Sequence, residues 1–225
     1  MVNYKNDYIN LVVLGSFNPA ILTHEFLVEE CGFDLPAKPD RKGPPMPVVA
    51  SIDYGSVAFF ADLGRLQITQ KNCDDPKSSK LPAYLRVYLE KLPYTPITKC
   101  GANFSCEVTV GKKKVEAIEE RLRSDRGHFR ESLESEAVDI EVCFELDDGQ
   151  ERVRNWAVRT RSRRHEASTV MKVARMATVE GVIKVDFNYE VGNLDTERKR
   201  LNSVTSEYGE VVDLFNRQVQ KLFEG

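Results

Sequence analysis

The chain has 225 residues, 41% of them hydrophobic and 30% charged, with 32 basic against 35 acidic side chains and a formal net charge of -3. That composition supports a sizeable core and excludes wholesale disorder. Near-neutral charge excludes a global field steering the chain to nucleic acid or membrane, so binding of that kind must come from a local patch.

The opening MVNYKNDYINLVVLGSF holds a short apolar run over 9–14. It lacks the basic lead and length of a signal sequence, and a spanning helix needs about 20 apolar residues. The expectation is a strand, and a cytoplasmic protein with no membrane partner. Asn18-Pro19 reads as a helix entry, a capping side chain followed by proline at the first position. Ile21, Leu22, Phe26 and Leu27 supply a helical apolar stripe, and Gly32 a stop. Segment 34–47 contains five of the ten prolines and is expected to be loop.

Segments 48–53, 57–61 and 65–70 read as three strands separated by Tyr54-Gly55 and Leu63-Gly64. Tyr84, Leu85, Tyr88, Leu89 and Leu92 recur at helical spacing, and Pro93 ends that helix. Segment 95–110 returns to strand, with Gly101 expected to mark a bulge. Segment 112–136 is charged and helical in period, with a break expected at Gly127.

Segment 138–146 alternates: Val138, Ile140, Val142, Phe144 and Leu146 on one face, Asp139, Glu141, Cys143 and Glu145 on the other. Asp147-Asp148-Gly149-Gln150 is a hairpin turn, and 152–163 is the return strand. Segments 169–177 and 182–189 follow as strands. A long helix over 195–223 carries Leu201, Val204, Tyr208, Val211, Val212, Phe215, Val219 and Leu222 at spacings of three and four. The fold class is α+β: antiparallel sheets with helices packed on one face. The order of elements divides into two related lobes, 1–111 and 112–225, with one compact domain as the alternative.

The segments LGSFNPAILTHEFL, LPYTPITKCGANFS, VIKVDFNYEV and EVVDLFNRQVQKLF resemble a sporadically distributed family of uncharacterised bacterial α+β proteins. In that family, strand-rich halves end in an acidic strand and a closing helix with an aromatic near its end. Asp186 and Phe215 are the matching positions here. The resemblance transfers no catalytic residue, and the family's patchy distribution implies mobile-element or phage-defence loci.

Catalytic signatures are missing from the sequence. His24, His128 and His165 fall in three different elements, and no His/Cys pair has ligand spacing. No metal site and no cofactor is assigned. The five cysteines, Cys31, Cys73, Cys100, Cys106 and Cys143, form no C-x-x-C and read as small buried apolar residues. The turn from Leu14 to Pro19 lacks the glycine pattern of a phosphate site and reads as an ordinary strand-to-helix connection. Asp53, Asp62 and Asp186 sit at or near strands. Convergence of the three would give a metal-dependent enzyme; strand-end aspartates are otherwise caps and turn formers.

The arginine-rich stretch RVRNWAVRTRSRRH over 152–165 is the most informative local feature. Arg159, Arg161 and Arg163 have period two and share a strand face. Arg152 and Arg154 do the same earlier, with Trp156 in phase in the absence of a bulge. Guanidinium groups in a row bind phosphates and an interleaved Trp stacks on a base. The nucleic-acid set is Arg152, Arg154, Trp156, Arg159, Arg161, Arg163 and Arg164, with Lys112, Lys113 and Lys114 adding to it. Two other readings remain: cross-strand pairing with Glu141 and Glu145, and an acidic protein partner. Tyr84, Tyr88, Tyr208 and Phe215 are expected in the core. Together these observations point to a non-catalytic binding or interaction protein, a subunit of a bacterial multi-protein or phage-defence assembly, with a protein partner or self-association. The alternatives are a nucleic-acid-binding module and the metal-dependent enzyme.

Overall fold

Apolar residues at alternate positions dominate the long strands, and a computed structural model shows what those alternating faces build. It describes residues 4–42, 48–124, 138–147, 150–162, 167–175, 181–191 and 205–223. The strands are β1 (Tyr4–Gly15), β2 (Arg41–Lys42), β3 (Val49–Asp53), β4 (Val57–Asp62), β5 (Arg65–Lys71), β6 (Ile97–Thr109), β7 (Val138–Asp147), β8 (Gln150–Ser162), β9 (Ala167–Arg175) and β10 (Val182–Val191). The α-helices are α1 (Leu81–Lys91), α2 (Lys112–Ser124) and α3 (Tyr208–Phe223).

All ten strands join one sheet in the order β2-β3-β4-β5-β1-β6-β10-β9-β8-β7, and every pairing is antiparallel. The two strand-rich halves are therefore continuous, joined where β6 pairs with β10 over Val182↔Thr109 to Val191↔Cys100. Gly111, at a φ of 82, turns the chain out of the sheet into α2.

One sheet face carries the core. Ile9, Leu11 and Val13 on β1, Phe104 and Val108 on β6, and Ile183, Val185 and Phe187 on β10 are all buried. Helix α1 covers the β1–β5 side, where Tyr84 and Phe59 lie 6.1 Å apart, centroid to centroid. Helix α3 covers β6 and β10: Phe215 stacks on Phe104 at 5.0 Å and meets Phe187 at 5.7 Å. Tyr84, Tyr88, Tyr208 and Phe215 are core residues, as their helical spacing requires. Cys31, Cys73, Cys100 and Cys106 are buried free thiols. Burial, with Glu190 adding to it, pushes the Cys100 thiol up to about 12.

Three local expectations need correction, the first being that segment 34–47, expected to be loop, contributes the two-residue β2. The helix over 19–31 is instead a 3-10 turn (Pro19–Ile21) and a π-helical turn (Phe26–Glu30). Leu22, at φ -74 and ψ 85, leaves the helical basin between them, and Thr23 Oγ1 restarts the chain by accepting from Phe26 N at 3.1 Å. Gly101 is not a bulge: it pairs in register with Val12 and Glu190. A Cβ there would lie 2.5 Å from the Tyr189 carbonyl oxygen, so close approach of β10 is what requires glycine. The helix over 112–136 is described to Ser124; the break at Gly127, like the helical positions Leu201 and Val204, lies outside the described residues.

Candidate binding face

Because side chains alternate across a strand, every core position leaves its neighbours on the other sheet face. Among the described residues, Tyr84, Tyr88, Val115, Ile118, Tyr208 and Phe215 of the three α-helices join the core cluster. The composition of the second face is polar. One row of paired residues runs Ala58, Thr69, Asn10, Asn103, Asn188, Val170, Arg159, Asp139 across eight strands. A second runs Lys71, Tyr8, Ser105, Asp186, Lys172, Ala157, Glu141. A third runs Gln67, Val12, Gly101, Glu190, Ser168, Arg161.

The three asparagines form a head-to-tail chain. Asn103 Nδ2 donates to Asn10 Oδ1 at 2.6 Å, and Asn188 Nδ2 donates to Asn103 Oδ1. Asn10 is 9% exposed, while Asn103 and Asn188 are half-buried. Asparagine is depleted in strands, on a scale spanning about 1 kcal/mol per residue. A net hydrogen bond returns only about 1 kcal/mol. Two bonds for three poor strand formers roughly cancel, so stability alone does not explain amides in the middle of β1, β6 and β10.

In the adjacent row Ser105 Oγ donates to Asp186 Oδ1 at 2.6 Å. Ser105 is 0% exposed, so it props the carboxylate and is no accessible nucleophile. Lys184 Nζ sits 3.3 Å from Asp7 Oδ2 and 5.7 Å from the Tyr8 ring centroid. Burial works against its ammonium, but Asp186 and Asp7 outweigh it and hold Lys184 above the ordinary lysine value. Burial, reinforced by Asp186, likewise raises the Tyr8 hydroxyl, which is therefore neutral at physiological pH. Lys99 Nζ bonds Glu190 Oε1 at 2.9 Å.

Toward the β3 edge the face dips into a cavity of about 380 Å³ lined by Arg41, Asp53, Phe60, Arg65, Gln67 and Thr69 among others. The Arg65 guanidinium lies 4.7 Å from the Phe60 ring centroid. Asp53 is held below the usual carboxylate range, chiefly by its bond from Lys71 at 2.8 Å.

Asp53, Asp62 and Asp186 do not converge. Asp53 and Asp62 stand at opposite ends of the β3–β4 pairing, and Asp186 is on β10. Each of the first two accepts from a turn glycine at 2.8 Å, Asp53 from Gly55 N and Asp62 from Gly64 N. Among the described residues no cluster of His, Cys, Asp or Glu is placed to hold a metal ion. His24 Nδ1 is 2.8 Å from Tyr54 Oη; His128 and His165 lie outside the described residues.

The arginine stretch falls on β8. Arg159 and Arg161 take register positions on the polar face, opposite Val170 and Ser168, as does Arg152 opposite Glu145. A bulge between Cys143 and Phe144 leaves Arg154 as the extra residue of β8. The bulge removes the phase match between Arg152 and Trp156: Trp156 pairs with Val173, a fully buried core-face position. Of the two expected acidic partners, Glu145 faces Arg152, but Glu141 faces Ala157; Asp139 faces Arg159 instead. Arg163 and Arg164 lie outside the described residues.

Sequence reasoning missed the asparagine row. Its local signal is an amide inside each of three β-rich runs, YINLVV, CGANFSC and VDFNYEV; only the sheet register brings the three together.

No family model and no curated protein matches this chain. Among solved structures it is similar to a rolling circle replication initiator protein from Geobacillus stearothermophilus, at 9% identity, over 97% of this chain and 85% of that one, with a TM-score of 0.40. It is also similar to DynU16, a protein of the dynemicin biosynthetic locus, at 10% identity over 96% and 98% of the two chains, with a TM-score of 0.28. Likeness at these scores carries no functional argument. Among the described residues no helix is long and apolar enough to cross a membrane.

Proposed function

We propose that the chain is a non-catalytic binding protein and that the polar sheet face is its binding surface. The observation behind this reading is the Asn10–Asn103–Asn188 row, three poor strand formers in register on the face opposite the helices. Its ligand class is nucleic acid. Arg152, Arg159 and Arg161 occupy positions on the same face as Lys172, Lys184 and the Arg41–Arg65 cavity, so cations stand on both sides of the amide row. Phosphate contacts from such side chains give affinity that falls steeply with salt. The test is electrophoretic retention of single-stranded DNA and RNA across a salt series. Retention that is lost in Lys172→Glu/Lys184→Glu and kept in Lys91→Glu, on α1, supports the reading. No retention even at low salt removes it.

A protein partner has separate support. The exposed large apolar side chains among the described residues, Val48, Leu63 and Tyr94, gather at one rim of the sheet. There Val49 pairs with Asp62, Phe17 N bonds Leu63 O at 3.0 Å and Ser16 N bonds Pro96 O at 3.0 Å. Such a rim is what a protein partner or a second copy covers, as expected of a subunit of a larger bacterial assembly. A Leu63→Ser/Tyr94→Ser variant should then lose nuclease-resistant partners or self-association by light scattering; unchanged behaviour in both would refute it.

A further inference from the structure

We infer that Asn10, Asn103 and Asn188 read base edges of a single nucleic-acid strand lying across β1, β6 and β10, an inference that rests on the nucleic-acid form of the function proposed above. A carboxamide carries two N–H donors and an acceptor oxygen with two lone pairs. Within the row Asn188 and Asn103 each donate one N–H, and Asn103 and Asn10 each accept one bond. Further donor and acceptor capacity therefore remains along the row.

The charges beside the row say which part of a strand faces it. Asp186 and Glu190 flank Asn188 on β10, on the same face. Ser105 holds the first and Lys99 the second. A phosphate over this centre is repelled by two carboxylates, whereas a neutral base is not. The arginines lie farther out: Arg159 is two strands beyond Asn188 in the same row, opposite Asp139, and Arg65 lies on β5 toward the cavity. Bases on the amides, with phosphates toward the arginines, satisfies both charges and hydrogen bonds. Sheet faces of this width accommodate two or three bases in known single-strand binders. Asparagine pairs bidentately with the N6 and N7 edge of adenine, so the row favours adenine.

The test is fluorescence anisotropy with oligo-dA, oligo-dT and oligo-dC on the full chain. Oligo-dA should bind roughly tenfold tighter than oligo-dT. Asn103→Leu should erase that preference without changing the salt dependence. Arg161→Glu should weaken all three oligomers and lower the salt dependence. If Asn103→Leu fails to fold, Asn188→Val, at the end of the row, carries the same comparison. Equal affinities for the three oligomers, with no effect of either asparagine variant, would overturn the inference and leave the nucleic-acid reading standing. Absence of binding to any oligomer would defeat both.

Discussion

The Asn103 carboxamide donates to Asn10 Oδ1 at 2.6 Å across the β1–β6 pairing, joining residues 93 positions apart in the chain. Asn188 extends the same chain of amides onto β10. This contact ties the N-terminal strand to the seam between the two halves, on the face opposite Phe104 and Phe187.

Because the row contributes little net stability, replacing it should cost little. Asn188→Val removes one hydrogen bond and improves strand propensity, each worth about 1 kcal/mol. The expected change in urea unfolding free energy is within about 1 kcal/mol of zero, while ligand binding falls. A loss of several kcal/mol would make the row a structural element instead.

Helix α3 should behave differently. Phe215 is fully buried between Phe104 and Phe187, with Tyr4 against its edge at 5.8 Å. Phe215→Ala should cost about 3–5 kcal/mol, from lost burial plus the cavity left behind. Equilibrium urea denaturation with tryptophan fluorescence, using the lone Trp156, measures it.

Gly101→Ala places a methyl group 2.5 Å from the Tyr189 carbonyl oxygen. Strand propensity alone favours alanine slightly. The clash is with backbone and should dominate, costing roughly 1–3 kcal/mol as overpacking does. A lowered melting temperature checks it; a raised one would show that β10 shifts freely.

Alkaline pH should destabilise the fold. Burial raises Tyr4 from its ordinary value of 10.0 to about 12, with Cys106 adding to it, and raises Cys100 from 9.0 to about 12. In each case the folded state favours the neutral form. Their contribution is complete below the unfolded values, shrinks as the unfolded chain ionises first, and is gone above the folded values. Unfolding free energy should therefore fall from about pH 9 upward, through pH 12. Cys100→Ala should remove one thiol's share of that fall and leave the onset in the thiol range, because burial also raises Cys31, Cys73 and Cys106.

Much of this fold is legible in the sequence. Period-two and period-3.6 patterns locate the strands and α1 and α3, because one buried face fixes each. They also assign Tyr84, Tyr88, Tyr208 and Phe215 to the core. What periodicity lacks is register between distant strands. Asn10, Asn103 and Asn188 acquire meaning only when β1, β6 and β10 align, and a one-residue slip would turn them to the core. The same limit hid the Arg154 bulge, which separates Trp156 from Arg152 in phase, and the union of both halves in one sheet. The break at Leu22 was missed because a good cap and proline announce a helix start without fixing its length.

On the proposed reading the polar face, not the helical side, binds the ligand. The most direct measurement is single-stranded oligonucleotide affinity across a salt series for Lys172→Glu/Lys184→Glu against Lys91→Glu. The first should lose most of its affinity, with a shallower salt dependence, and the second should match the unmodified chain. Equal affinities in the two variants, or a loss confined to Lys91→Glu, would contradict it.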